Sequence, residues 1–169
     1  NTTACDGWFD IGATDGIVRV DGTNELDYES ATSCAVYVTS TSDDGSTSSA
    51  EFTITLTDFD EFDVTAPTDI DADSNEISED ASNGASAEIT ASASDADGTT
   101  NAITYSILAQ SCTGAFTIDS SSGEVTVADT SAIDYESATS CTITVRATSA
   151  DGSTADPTFT VTIVDVNDQ

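Results

Sequence analysis

The chain has no histidine, no lysine and no methionine, and only two cationic side chains, Arg19 and Arg146, stand against 32 carboxylates in 169 residues. These absences exclude a good deal. Without histidine or lysine the commonest general bases and Schiff-base nucleophiles are missing. The carboxylates that remain sit in turns, with no sign of a cleft, so no enzyme is expected. Nucleic acid is excluded as a partner because its phosphates need Lys and Arg to neutralise them. An anionic membrane surface would repel a chain of formal charge −30. No apolar run approaches the roughly 18 residues of a membrane-spanning helix, so direct membrane insertion is not expected. No leader peptide is visible, and the polar start at Asn1 reads as a mature product or an excised segment. The opening Asn1-Thr2-Thr3 matches the glycosylation sequon, a weak signal when it stands alone.

What is present is acid of one kind. Aspartate (23) outnumbers glutamate (9), and it stands beside Gly, Asn and Ser. Short carboxylates in turns suit the wrapping of hard cations with oxygen. A strongly acidic, self-repelling surface also suits a saline medium, and ion sites account for only some of the acids. Thr, Val, Ile and Ser abound and helix formers are scarce, so the expected class is all-β.

The sequence repeats itself. Placing Cys5 on Cys112, an offset of 107, aligns Phe9 with Phe116, Ile11 with Ile118, Gly16 with Gly123 and Val20 with Val127 without a gap. Leu26-Asp27-Tyr28-Glu29-Ser30-Ala31-Thr32-Ser33-Cys34 falls on Ile133-Asp134-Tyr135-Glu136-Ser137-Ala138-Thr139-Ser140-Cys141. Asp44-Gly45-Ser46-Thr47 falls on Asp151-Gly152-Ser153-Thr154, and Phe52, Ile54 and Asp58 fall on Phe159, Val161 and Asp165. A fixed period of this kind marks a tandem module.

The two copies are unequal. Residues 64–169 hold a whole module, whereas residues 1–63 hold only the counterpart of its trailing part and lack everything matching Thr65–Ile107. Alternation and breakers predict strands in the whole copy near Asn75–Ser78, Ala87–Ala93, Ile103–Leu108, Ala115–Ile118, Glu124–Val127, Cys141–Thr148 and Thr158–Val164. Seven short strands in about 100 residues read as a Greek-key, immunoglobulin-like β-sandwich, with the first repeat incomplete. An incomplete sandwich exposes an apolar face and an open edge. Three explanations stand side by side: excision from a longer array, donation of the missing strands by a neighbouring or identical chain, or closure with altered pairing.

Cys5 and Cys34 are 29 apart, as are Cys112 and Cys141. Equal spacing at equal repeat positions favours the disulfides Cys5–Cys34 and Cys112–Cys141, and with them an oxidising, extracellular or cell-surface location. Zinc ligation is the rival reading, although the close C-x-x-C pairs it usually needs are absent.

The acidic motifs come in a fixed order. They run Asn75-Glu76-Ile77-Ser78-Glu79-Asp80, then Asp95-Ala96-Asp97-Gly98, Ile133-Asp134-Tyr135-Glu136, Ala150-Asp151-Gly152 and finally Asp165-Val166-Asn167-Asp168. In order and spacing this resembles a cadherin repeat of the kind found in tandem in bacterial, RTX-type extracellular adhesins. The resemblance covers the second copy and the retained part of the first. It implies Ca²⁺ at the seam between successive repeats, six to eight oxygens being the usual calcium shell. Carried over by motif, that seam takes Asp27 and Glu29 upstream, Asp58, Asp60 and Glu61 from the linker, and Asp95, Asp97, Asn101 and Asp151 downstream. Glu79, Asp134, Glu136, Asp165, Asn167 and Asp168 would form half of a further seam. The family's Asp-x-Asn-Asp-Asn linker becomes Asp58-Phe59-Asp60-Glu61-Phe62, which leaves two or three ions per seam.

The implied function is a structural extender or adhesion module, its partners neighbouring repeats of the same or an identical chain. Two alternatives accompany it. One is a subunit of an extracellular filament assembled by strand donation. The other is a carbohydrate-binding module acting on glycans or cell surfaces, suggested by Trp8 where the second copy has Ala115. A core tryptophan is the plainer reading of that residue.

Overall fold

The computed structural model describes residues 5–22 and 25–167. The chain divides into two compact units: the first holds residues up to Asp60 together with Asp97–Thr99, and the second holds Glu61–Ala96 and Thr100 onward. Among the described residues there is no α-helix, only a single 3-10 turn at Thr130–Ala132. The sequon at Asn1 and the ligand candidate Asp168 lie outside the described residues.

The first unit contains two antiparallel ribbons. In one, β1 (Phe9–Ile11) pairs with β2 (Val18–Val20). In the other, β3 (Ser33–Thr41) pairs with β4 (Thr47–Thr55) over nine residues, from Ser33↔Thr55 to Thr41↔Thr47. The tight β3–β4 turn needs a left-handed residue, and Gly45 (φ +84°) supplies it. The Asp44 carboxylate braces this turn by accepting from the Ser46 hydroxyl (2.7 Å) and amide (2.9 Å). Cys5 is bonded to Cys34 with a Cα–Cα distance of 5.8 Å. Among the described residues of this unit, Cys34 and Trp8 are the buried apolar ones.

The second unit is a two-layer sandwich. One sheet has the order β5 (Thr68–Asp69), β7 (Ser86–Ser92), β10 (Glu124–Val127), β9 (Phe116–Ile118). The other is built on β11 (Ser140–Ser149). The sheet also contains β6 (Glu76–Ser78), β8 (Ile103–Gln110), β12 (Thr154–Ala155) and β13 (Thr158–Val164). β8 pairs along Ile143–Ser149 of β11, a stretch that overlaps the pairings of both β13 and β12. A strand has two edges, so β8 takes one of them, while β13 and then β12 share the other. β6 closes the far side by running parallel to β13.

Period-2 alternation explains why these segments are strands. In β11 the side chains of Cys141, Ile143, Val145, Ala147 and Ser149 point inward and are buried, with the residues between them more exposed. They belong to one core cluster with Ile89, Val125, Val127, Val161 and Ile163. Full burial of each large aliphatic chain contributes about 1.5–3 kcal/mol. The buried Ser149 hydroxyl is satisfied by the Thr100 carbonyl at 2.9 Å. Cys112–Cys141 closes a loop of the same length as the first disulfide, with a Cα–Cα distance of 5.6 Å. Such a loop is worth about 3.5 kcal/mol in the chain-entropy account.

All seven expected strands are present, with ends moved by a residue or two. β5 and β12 are additional, so the described residues of the second unit form nine strands, two of them only two residues long. The offset of 107 also holds for pairing. Phe9↔Val20 and Ile11↔Val18 repeat as Phe116↔Val127 and Ile118↔Val125, and Cys34↔Ile54 repeats as Cys141↔Val161.

Candidate metal centre

Three acids come together within the first unit. Glu29, Asp58 and Asp97 each offer one oxygen, and the three oxygens lie within 4.8 Å of one another. Asp97 is 1% exposed. The chain turns sharply beside it. The Gly98 amide donates to Glu29 Oε1 at 3.0 Å, and the Thr99 hydroxyl donates to Asp58 Oδ2. Gly98 is required by close approach, since an added Cβ would stand 2.7 Å from the Tyr28 ring and 3.0 Å from Glu29 Oε1. Asp58 Oδ1 is completely buried and accepts no hydrogen bond. A buried carboxylate oxygen left in that condition is costly unless a cation satisfies it.

The donor set is all oxygen and mostly carboxylate, which fits Ca²⁺ better than Mg²⁺, an ion that keeps its waters and takes fewer carboxylates. Among the described residues, no cationic side chain is free to supply the compensating charge. Arg19 is paired with Asp15 at 2.6 Å, Arg146 with Asp156 at 2.6 Å, and the chain has no other Lys or Arg.

A second group lies within the second unit. Oxygens of Glu79, Asp134 and Glu136 again fall within 4.8 Å of one another. Backbone amides hold Glu79 from two sides: Tyr135 donates to Oε2 at 2.8 Å and Val166 donates to Oε1 at 2.7 Å. Asp134 accepts from the amides of Glu136 (3.0 Å) and Ser137 (3.2 Å) and from the Ser137 hydroxyl (2.7 Å). These bonds, the Ser137 hydroxyl first and its amide second, hold the Asp134 carboxyl below its ordinary range. It therefore stays ionised, as a metal ligand must.

The other expected ligands are placed as follows. Asp27 is engaged with Ser30, accepting from its amide at 3.0 Å and its hydroxyl at 2.5 Å, and these bonds hold its carboxyl low in the same way. It shapes the turn that carries Glu29. Asp151 accepts from the Ser153 amide at 2.6 Å. Asp95 is half-buried, while Asp60, Glu61, Asn101, Asp165 and Asn167 are exposed. Among the described residues, neither Asp27 nor Asp165 belongs to a cluster of three acids.

A third acidic group, Asp71, Asp73 and Glu88, was not foreseen. The run Asp69-Ile70-Asp71-Ala72-Asp73 is visible in the sequence. Its meeting with Glu88 depends on a positive φ of +53° at that residue, within β7, which nothing in the sequence announces.

Trp8, the ring behind the carbohydrate alternative, is 7% exposed and offers no open face to a sugar. The described residues include no helix long and apolar enough to cross a membrane.

Residues 73–167 match the family model "Cadherin domain". No curated protein sequence matches the chain significantly. Among solved structures, human CDH23 EC21-23 is similar with a TM-score of 0.81 and 25% identity, over 97% of this chain and 53% of that one. Protocadherin Gamma B2 extracellular cadherin domains 3-6 gives a TM-score of 0.71 and 23% identity, over 95% of this chain and 39% of that one. Mouse Protocadherin-24 EC1-3 gives 0.70 and 19%, over 96% and 53%. The chain thus spans about half or less of the length of these solved chains.

Proposed function

The chain belongs to the cadherin-domain family, and from that premise we propose that it is a structural extender or adhesion module of an extracellular protein or fibre, rigidified by calcium. The family is one of adhesion domains and not of enzymes. Two disulfides agree with an oxidising, extracellular location.

One observation carries the calcium reading. Asp58 Oδ1 is buried without a donor, in a group where Glu29 and Asp97 also bring carboxylate oxygens within 4.8 Å. Bare, these charges repel one another. A divalent ion of oxygen preference turns the same three groups from a source of strain into a clamp on three chain segments: the Tyr28-Glu29 turn, the end of the first unit, and the Asp97-Gly98-Thr99 loop. Glu79, Asp134 and Glu136 are proposed to hold a second ion in the same manner. Asp27, Asp60, Glu61, Asp95, Asn101, Asp151, Asp165 and Asn167 are proposed as further ligands on the strength of the sequence resemblance.

Isothermal titration of Ca²⁺ into chelator-stripped chain tests the proposal. The expected result is saturable binding with dissociation constants of about 10⁻⁴–10⁻³ M, the range of extracellular calcium modules. It should be weaker for Mg²⁺ and diminished in Glu29→Gln. Absence of saturable binding at 10 mM Ca²⁺ (a trial concentration on the order of ten times the upper bound of that range) would refute it.

A further inference from the structure

We infer that Asp97 is a site of spontaneous, succinimide-mediated isomerisation to isoaspartate, and that an ion on Glu29, Asp58 and Asp97 restrains this reaction. This rests on the calcium reading proposed above, and it makes prolonged loss of the ion an irreversible event for the site.

Aspartate followed by glycine offers this reaction the least obstruction, because glycine has no Cβ to block the approach of its nitrogen. The chain has six such dipeptides, at Asp6, Asp15, Asp21, Asp44, Asp97 and Asp151, and one Asn-Gly at Asn83. At Asp97 the Gly98 nitrogen would bond to Cγ. Its proton, one proton from solvent and one carboxylate oxygen leave together as water. A water molecule then opens the five-membered ring and returns the solvent proton. Breaking the new bond to Cγ restores aspartate. Breaking the original peptide bond leaves the main chain running through Cβ and Cγ, which is isoaspartate. No oxidant, reductant or enzyme is consumed.

The attack needs a glycine N–H released from its hydrogen bond. At Gly16, Gly45, Gly84 and Gly152 the amide is tied to main-chain carbonyls, those of Gly12 (2.9 Å), Ser42 (2.9 Å), Val127 (2.7 Å) and Ser149 (3.0 Å). These acceptors are neutral and belong to the folded backbone, so no ion is needed to keep them in place. Gly98 differs. Its amide donates to Glu29 Oε1 at 3.0 Å, across a separation of 69 residues. That acceptor is an exposed, charged side chain, and Glu29, Asp58 and Asp97 each bring an oxygen within 4.8 Å of the others. Bare, the three carboxylates repel one another. Asp97 is 1% exposed and Glu29 is on the surface, so Glu29 is the one to yield, and the Gly98 N–H is released with it. An ion holds Glu29 on the amide and keeps the Asp97 carboxylate from swinging toward the Gly98 nitrogen.

The product does not fit the site. Isoaspartate adds one methylene to the main chain and takes one from the side chain, so the carboxylate leaves the place where it meets Glu29 and Asp58. The turn has no room to absorb the extra atom, since even a Cβ on Gly98 would stand 2.7 Å from the Tyr28 ring. A chain that has reacted therefore does not regain the ion when calcium returns.

The test ages the intact chain in chelator and, in parallel, in calcium. Isoaspartate is read by electron-transfer fragmentation of its peptides, which separates it from aspartate at equal mass. If only the ion-free site reacts, about 10 mM Ca²⁺ on a site of dissociation constant about 10⁻⁴–10⁻³ M slows the reaction about ten- to a hundredfold. Asp97 should therefore accumulate isoaspartate about tenfold faster or more in chelator, while Asp15 and Asp44, in the same unit, react at equal rates in both media. Glu29→Ala should abolish the protection, so that Asp97 reacts in calcium as fast as in chelator. Should Glu29→Ala lower the Trp8 fluorescence melt in chelator, Asp58→Asn replaces it: with less repulsion on Glu29, Asp97 should react more slowly in chelator than in wild type. An Asp97 rate indifferent to whichever variant is used overturns the inference. Equal acceleration of Asp15 and Asp44 in chelator overturns it too, because calcium then guards only against opening of the whole unit. Isothermal titration of the same samples separates the two readings. Saturable calcium binding with equal Asp97 rates in the two media overturns the inference and leaves the calcium reading standing, whereas absence of binding removes both.

Discussion

Asp58→Asn should make the first unit more stable without calcium and less stable, relative to wild type, with it. The substitution keeps the shape of the side chain and an oxygen to accept from the Thr99 hydroxyl, but removes one of three charges whose oxygens lie within 4.8 Å. Two of the three like-charge pairs disappear. At that separation each pair costs about 0.9 kcal/mol even at the dielectric of bulk water. The metal-free variant should therefore gain about 1–2 kcal/mol. Calcium reverses the order. At 10 mM ion, a site of dissociation constant 0.1–1 mM stabilises the wild type by about 1.4–2.7 kcal/mol, and the variant forfeits most of that. Trp8 is the chain's single tryptophan and is buried in the first unit, so its fluorescence follows the melting of that unit alone. For a body of about 60 residues, each kcal/mol moves the midpoint by about 4–8 °C. The midpoints of wild type and variant should thus cross between chelator and calcium. If Asp58→Asn melts lower than wild type in chelator, the three acids do not strain the metal-free unit. If the wild-type midpoint ignores calcium, the ion is not held there. Either result refutes the reasoning.

Two further predictions concern the second unit. Glu79→Ala strips the acceptor from the amides of Tyr135 and Val166. It should cost about 2 kcal/mol even in chelator, read as a lower urea midpoint by circular dichroism, and should abolish calcium binding at Asp134 and Glu136. Asp119 accepts from the amides of Ser122 (2.8 Å) and Ser121 (2.9 Å), which hold its carboxyl below the ordinary 3.8. A value lowered on folding stabilises above the unfolded value and is lost as pH falls through the folded one. A carboxyl NMR titration should therefore place the Asp119 midpoint below 3.8, and an unshifted midpoint would remove this turn from the acid-sensitive elements of the fold.

The strands of the second unit were legible because their side chains alternate between a dry core and water, and period 2 survives in a one-dimensional string. Cys141-Thr142-Ile143-Thr144-Val145 states its own burial pattern. β5 and β12, at two residues each, are too short to show any period and exist only because a neighbouring strand offers an edge. In the candidate metal centre, Glu29, Asp58 and Asp97 were all carried over by motif from the resemblance to cadherin repeats. Their convergence was not readable, because it depends on the Gly98 turn passing close to Tyr28. Asp27 shows the converse: a carboxylate in a ligand motif whose oxygens are engaged by Ser30 in shaping the turn. The group of Asp71, Asp73 and Glu88 was invisible because a left-handed glutamate inside a strand leaves no local signature.

By itself the sequence determined the internal repeat of this protein, the equal spacing of its cysteines, its β class and its one-sided charge. Each of these follows from residue identity and spacing, which a repeat of 107 residues displays twice. Tertiary structure alone decided which carboxylates meet and which of them close local turns. Those outcomes depend on distances between segments far apart in the chain.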